Sequence, residues 1–134
     1  MIRRVLESQF IRFSLVGAIG FVLDAGALTL LAMLPDANLY VARLVSYLFA
    51  ATGTWLLNRR YTFEVSNTIR LHRQWSAYVI LNALGGALNY VAYAVSLFML
   101  DTVRSWPVLG VAIGSAVGLV VNYSINKKFV FRAD

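Results

Sequence analysis

Four long apolar segments constrain the fold of this chain more than any other feature of its sequence. They cover residues 13–34, 39–58, 75–100 and 107–126. Each has roughly 20 residues or more, the length at which an α-helix crosses about 30 Å of hydrocarbon. Only 13% of the residues are charged, whereas a typical soluble domain has about 25%. The sequence therefore predicts an all-α membrane protein with four transmembrane helices, forming a single transmembrane domain over residues 1–134.

The connections between these segments predict two helical hairpins. Residues 35–38 and 101–106 are short enough for tight turns, whereas residues 61–74 form a longer polar connection. Ten of the twelve lysines and arginines lie before the first segment, between the second and third segments or after the fourth segment. Of the other two, Arg104 lies in a short turn and Arg43 lies inside the second segment. The positive-inside rule therefore predicts that both termini are cytoplasmic.

The first twelve residues predict a short interfacial helix that leads into the first span. Their apolar side chains fall on one helical face and their charged side chains on the other, as in helices that lie on a membrane. The alternative is a frayed basic tail. We expect no cleavable signal, because the first apolar segment is too long and no small-residue cleavage site follows it.

The two predicted hairpins are related by an internal repeat. Residues 55–63 and 123–131 share the pattern aromatic-x-x-Asn-basic-basic-aromatic-x-Phe, at an offset of 68. Two upstream pairs match at an offset of 65, Gly20 with Gly85 and Asp24 with Asn89. We predict that the copies cover residues 10–63 and 75–131. Because each copy crosses the membrane twice, the copies have the same orientation and form a parallel repeat.

The repeated motifs predict a surface that binds lipid headgroups. Pairs of arginine or lysine side chains can bind a phosphate through charge-assisted hydrogen bonds. Aromatic rings favour the depth of the headgroups in a membrane. The alternative is that these cations only orient the chain. The predicted phosphate- or headgroup-binding residues are Arg59, Arg60, Lys127, Lys128, Asn58 and Asn126.

Asp24 is the least expected residue, because it lies near the centre of the first span. A carboxylate there costs several kcal/mol unless it is protonated, paired or hydrated. The rise per residue puts Arg43 roughly 9 Å shallower, so a direct pair would be strained. We predict that both side chains line a polar translocation path, and the alternative is a structural ion pair. The predicted path residues are Asp24, Arg43, Asn82 and Asn89.

Other patterns concern packing and catalysis. Gly110, Gly114 and Gly118 recur every four residues, which predicts a close helix contact inside the subunit or between two copies. No nucleotide-binding loop, carboxylate pair, metal-ligand cluster or catalytic triad order is visible, so we expect no enzymatic activity, metal or cofactor. The absence of cysteine also excludes disulfides. Membrane orientation explains the +6 net charge, so we expect no nucleic-acid partner.

Several stretches resemble the GtrA-like family of small bacterial membrane proteins. They are RFSLVGAIG at residues 12–20, ARLVS at 42–46, NRRYTF at 58–63 and, more weakly, NKKFVF at 126–131. The resemblance implies a multi-pass protein of the bacterial inner (cytoplasmic) membrane. It also implies translocation of a sugar linked to polyprenyl (undecaprenyl) phosphate, or of that carrier lipid, for O-antigen or wall-polymer glycosylation. A membrane glycosyltransferase is the implied partner.

Two other functions stay open from the sequence. One is a non-transporting subunit that binds the carrier lipid for a glycosyltransferase. The other is a small proton-coupled multidrug exporter, although Arg43 is an unfavourable residue in a path for cationic drugs. Four helices enclose little space, which makes a homodimer with a shared path a further possibility.

Overall fold

The computed structural model describes residues 8–65 and 70–131. Its helices are α1 (Gln9–Ala32), α2 (Leu39–Leu57), α3 (Leu71–Met99), α4 (Asp101–Ser105) and α5 (Pro107–Ile125). No β-strand occurs in these two described ranges. The predicted all-α class is confirmed, and every predicted apolar segment folds as a long helix.

Three helical stretches are long and apolar enough to cross a membrane. These are Gln9–Ala32, Leu71–Met99 and the stretch Leu109–Val130. Large apolar side chains such as Phe21 and Phe98 are 75% and 83% exposed, which suits contact with lipid better than contact with water. α2 falls outside this group, since Arg43 and several hydroxyl side chains interrupt its apolar run. The fourth span, the hairpin arrangement across the membrane and the cytoplasmic termini therefore stay predictions.

Two predictions concern the ends of the described chain. Most of the predicted interfacial helix, residues 1–7, lies outside the described residues. From Gln9 onward the chain is already part of α1. The long connection is shorter than predicted, because α3 begins at Leu71.

α2 and α5 both continue into a π-helical turn. The two turns are Asn58–Thr62 and Asn126–Val130. In each turn the closing phenylalanine N–H donates to the asparagine carbonyl five residues earlier, at 3.0 Å for Phe63 and 2.8 Å for Phe131. π turns are rare and often occur at functional sites. Both copies of the repeated motif therefore adopt the same local geometry.

The short connections are stabilised by polar side chains. Asp36 has a φ of 54°, a left-handed conformation that aspartate tolerates better than most residues. Asn38 caps α2, since its Oδ1 accepts from the Val41 N–H at 3.2 Å. Arg104 donates to the carbonyl of Phe98 at 3.0 Å and so caps the end of α3.

The described helices form two antiparallel pairs, α1 with α2 and α3 with α5. We call them the first and second hairpins. The end that carries the two π turns is called the basic end, and the opposite end, with residues 33–38 and 100–106, is called the turn end. The first hairpin contacts the second mainly near the basic end. There Trp75 donates to Thr52 at 3.0 Å, and nearer the middle of α2 Tyr47 donates to the Val79 carbonyl at 2.7 Å.

Aromatic rings fill the core at the basic end. Phe63 and Phe131, which close the two π turns, are buried and in contact with each other. Tyr123 lies 5.7 Å from Phe13, between ring centroids, and 6.0 Å from Phe63. Rings at these separations attract each other beyond the effect of burial alone. This cluster therefore holds the two hairpins together at one end.

Candidate functional site

Equivalent residues of the two repeats make equivalent contacts inside the two hairpins. A Cβ placed on Gly20 would lie 2.5 Å from Thr54 Cγ2. A Cβ placed on Gly85 would overlap Asn122 Oδ1. Gly85 follows Gly20 by 65 residues, and Asn122 follows Thr54 by 68 residues. Each hairpin thus needs a glycine at this level so that its two helices can approach each other.

The next contact toward the turn end distinguishes the two hairpins. In the first hairpin the Ser46 hydroxyl donates to Asp24 Oδ1 at 2.7 Å. In the second hairpin, Asn89 lies directly against Gly114, where a Cβ would come within 2.6 Å of Asn89 Oδ1. The first hairpin therefore carries a charge where the second carries a neutral amide.

Arg43 pairs directly with Asp24. Its Nη1 donates to both carboxylate oxygens, at 2.6 Å to Oδ1 and 2.5 Å to Oδ2. The Arg43 side chain is 56% exposed and that of Asp24 is 21% exposed. Ser46 touches Asp24, and Arg43 is three residues away on the same helix, an axial offset of only about 4.5 Å. The predicted offset of about 9 Å was too large, and the arginine side chain reaches the carboxylate directly.

A cleft of about 230 Å³, with largely apolar walls and several polar side chains, lies between the two hairpins. All four long helices contribute to its walls, and Asp24 is its lining residue nearest the turn end of α1. Its polar lining consists mainly of the carboxylate and three amides: Asp24, Asn58, Asn82 and Asn122. Among the described residues that line the cleft there is no lysine or arginine. The cleft therefore offers hydrogen-bonding groups with one negative charge.

Arg43 borders a second cavity, of about 500 Å³, at the turn end. Leu28, Thr29 and Leu39 are among its other lining residues. Asp24 lines the cleft, whereas Arg43 lines this cavity. The ion pair consequently lies between two spaces that lead toward opposite ends of the bundle.

The two motif asparagines lie inside the bundle. Asn126 is 0% exposed, and it exchanges hydrogen bonds with Asn82 at 3.2 Å and 3.3 Å. Asn58 is 1% exposed and donates from Nδ2 to the Tyr78 hydroxyl at 3.1 Å. The sequence predicted both amides at the headgroup surface. The structure encloses them instead, because other helices pack over the start of each π turn.

The motif cations remain at the surface of the basic end. Arg60, Lys127 and Lys128 are exposed. Each lies over an aromatic ring at 5.4–5.7 Å from the ring centroid, a cation–π arrangement. Arg59 differs, since its Nη1 donates to Gln74 Oε1 at 2.5 Å. Three cations are thus placed to meet a headgroup, and their binding role stays a prediction.

Gln74 is a residue that the sequence reading missed. It is 2% exposed, and its Oε1 accepts from Trp55 at 3.2 Å as well as from Arg59. Its Nε2 donates to the Val130 carbonyl at 3.2 Å. Gln74 therefore joins both π turns to the start of α3. Its position in a polar connection gave no sign of this role.

Asn89 lies apart from the other predicted path residues. It lines a cavity with Tyr90 and Tyr93 and not the cleft. The glycine row beside it packs inside the subunit, since a Cβ on Gly110 would lie 2.9 Å from Tyr93 and one on Gly118 would lie 2.8 Å from Asn89. Of the two packing alternatives for these glycines, the structure has the contact within the subunit.

A comparison with protein families connects this architecture to known proteins. The family model described as "GtrA/DPMS, transmembrane domain" matches residues 12–131, a range that includes both hairpins and both π turns. The chain belongs to this family. The resemblance seen in the sequence is thereby confirmed. No solved structure matches the chain.

Membership in the GtrA/DPMS family agrees with the long apolar helices. Together they identify a multi-pass membrane protein. The family also associates the chain with the handling of lipid-linked sugars in glycosylation. In this GtrA/DPMS protein, the features that bear most directly on function are therefore the cleft between the hairpins and the exposed cations of the basic end.

Proposed function

We propose that this protein translocates a sugar linked to polyprenyl phosphate, or the carrier lipid itself, across the bacterial inner membrane. It would serve cell-surface polysaccharide glycosylation, with undecaprenyl phosphate as carrier, and it would catalyse no reaction. One observation supports this function most strongly. A cleft lined by one carboxylate and three amides among apolar side chains extends from the buried start of the first π turn to the Asp24–Arg43 pair in the middle of the bundle.

The proposal includes four membrane spans with a cytoplasmic basic end. The 19 residues of α2 have a length of about 28 Å as a helix. Because α2 packs along α1, the two helices share the same depth in the bilayer. The distribution of lysine and arginine supports the cytoplasmic assignment of both termini.

Binding begins at the basic end in this proposal. Arg60, Lys127 and Lys128 are exposed and would lie at headgroup depth. Each such cation near an anionic surface contributes about 1 kcal/mol of attraction. These side chains would bind the lipid phosphate, while Arg59 maintains its contact with Gln74.

Passage then involves the ion pair. Arg43 uses only Nη1 to bind Asp24, so its other guanidinium nitrogens can meet an incoming phosphate. Ser46 would keep a hydrogen bond to Asp24 when Arg43 turns to the phosphate. The polyprenyl tail would remain in lipid. No energy-coupling motif is visible in the sequence, so net movement would follow consumption of the lipid on the outer side.

A non-transporting subunit is the second candidate. It would bind the carrier lipid and position a membrane glycosyltransferase. The network of Gln74 and the stacked rings of Phe63 and Phe131 favours this alternative, because it joins the hairpins firmly at the basic end. A multidrug exporter is less well supported, since Arg43 neutralises the carboxylate that a cationic drug would need. A homodimer remains compatible with either main proposal.

Translocation in proteoliposomes tests the proposal. The substrate is a polyprenyl-phosphate hexose, and a membrane-impermeant probe reads the sugar that reaches the other leaflet. Wild type is compared with Arg60→Gln/Lys127→Gln/Lys128→Gln and with Arg70→Gln/Arg73→Gln, which removes exposed cations outside the motifs. We expect the triple variant to lose most of the activity and the double variant to retain it. A folded wild-type protein with no activity above protein-free vesicles would favour the binding subunit.

A further inference from the structure

We infer that the cleft between the two hairpins is the subsite that binds the sugar part of the lipid. This inference rests on the proposed function. It assigns the neutral sugar and the charged phosphate to two different parts of the protein. The cleft would take one sugar ring, and the cations of the basic end would take the phosphate.

The lining of the cleft suits a neutral polar group better than a phosphate. Its polar lining includes the amides of Asn58, Asn82 and Asn122 and the Asp24 carboxylate, and no cation lines it among the described residues. Asp24 is already paired with Arg43, so the cleft itself offers a phosphate no free cation, whereas phosphates in proteins are bound mainly by arginine, lysine and backbone N–H groups. A neutral sugar offers hydroxyl groups that both donate and accept, as amides and a carboxylate require.

A buried acceptor without a partner also points to a missing hydrogen-bond donor. Asn58 is 1% exposed, and its Nδ2 is bonded to Tyr78. Its Oδ1 has no partner among the described residues, and the same holds for Asn122 Oδ1. Such groups are rare in folded proteins, and each needs a physical explanation. A sugar hydroxyl that donates to the Asn58 amide would satisfy it.

The size and walls of the cleft fit a single sugar ring. Its volume of about 230 Å³ is somewhat below the roughly 300–1,000 Å³ of pockets that hold drug-sized ligands. Phe13, Tyr47 and Tyr78 supply aromatic wall surface. An oligosaccharide would exceed the space, whereas one ring can contact both aromatic and amide groups.

The two proposed subsites adjoin each other in the chain. Asn58 lines the cleft and begins the first π turn, and Arg59 and Arg60 follow it directly. Asn82, another lining residue, is bonded to Asn126, which begins the second π turn. The amides and the cations are thus neighbours, as the sugar and the phosphate are in the lipid.

Gly17 provides a sharp test, because it lines the cleft and a Cβ there would meet no atom within 4 Å. Gly17→Leu therefore fills part of the cleft without a clash at Cβ. Gly26→Leu is the matched control, because Gly26 lies on the same helix, also has open space and does not line the cleft. Binding of polyprenyl-phosphate hexose and of bare polyprenyl phosphate is measured for each protein in lipid nanodiscs.

We expect wild type and Gly26→Leu to bind the sugar-bearing lipid more tightly, by about tenfold or more. Gly17→Leu should lose this preference and still bind the bare lipid. Equal binding of both lipids by wild type would overturn the sugar site and leave the proposed carrier function intact. Failure of the folded wild type to bind either lipid would overturn the sugar site and the proposed function together.

A cysteine variant tests the same site without the bulk of the leucine in Gly17→Leu. The chain has no cysteine, so Gly17→Cys carries a single thiol in the cleft, and Gly26→Cys carries one outside it. The sugar-bearing lipid should slow maleimide labelling at position 17 by about tenfold, and the bare lipid should not. Equal protection by both lipids at position 17 would contradict a site for the sugar.

Discussion

Phe63 and Phe131 stack with ring centroids 4.8 Å apart and planes 8° from parallel. The two residues occupy the same place in the two copies of the repeat. The stack therefore joins equivalent positions of the two hairpins at the basic end.

Removal of one ring from this stack should destabilise the protein. Phe131 is 2% exposed, and we expect Phe131→Ala to lower the free energy of unfolding by about 2–4 kcal/mol, since burial and ring contacts are both lost. Phe129→Ala is the control, because Phe129 is 51% exposed. Unfolding in mild detergent, followed by size-exclusion chromatography over a temperature series, gives the comparison. Equal losses in both variants would contradict a special role for the stack.

Two adjacent glycines should respond differently to the same substitution. Gly85→Ala places a methyl group on Asn122 and should separate the helices of the second hairpin, at a cost of about 1–3 kcal/mol. Gly86→Ala meets no atom within 4 Å and should be neutral or stabilising by up to about 1 kcal/mol through helix propensity. Thermal unfolding of both variants checks this. A stable Gly85→Ala protein would show that Asn122 can move away.

Variants of the Asp24–Arg43 ion pair should affect stability and transport differently. Asp24→Asn and Arg43→Gln each leave one charge without its partner inside a span, so each should cost about 2–3 kcal/mol. The double variant should regain much of that stability, because no unpaired charge remains. We expect it to bind lipid and fail to translocate it. Full translocation by the double variant would show that the pair is purely structural.

Loss of the Gln74 network should loosen the basic end. Gln74→Leu removes the hydrogen bonds to Trp55, Arg59 and the Val130 carbonyl. We expect a loss of about 2–4 kcal/mol, because several buried groups lose their partners. His72→Gln is the control, since His72 is exposed nearby. Stability by thermal unfolding and the emission wavelength of Trp55, measured with Trp75 and Trp106 replaced by Phe, report the change.

The helices could be predicted from sequence because their signal is long and regular. A run of about 20 apolar residues is hard to form by chance, and the predicted second segment, residues 39–58, differs by one residue from α2, Leu39–Leu57. The repeat was visible because six of nine consecutive positions follow one pattern in both copies. The depths of Asn58 and Asn126 could not be predicted, because no ordinary helical pattern signals a π turn or the helices that pack over it.

The roles of single polar residues were also hidden from sequence reasoning. Gln74 belongs to no repeated motif, and its contacts reach 56 residues along the chain to Val130. The Asp24–Arg43 contact depended on the relative register of two helices. That register follows from Gly20 packing on Thr54, a contact that composition does not reveal.

Most contacts between the two hairpins lie near the basic end, so that end is placed to act as a hinge between them. α1 has 24 residues and is therefore about 36 Å long, so a rotation of about 10° at the basic end moves its far end by roughly 6 Å. That displacement is comparable to the width of a sugar ring. A rotation of this size, produced by a slight repacking of buried rings and amides at the basic end, would by leverage alone open the turn end.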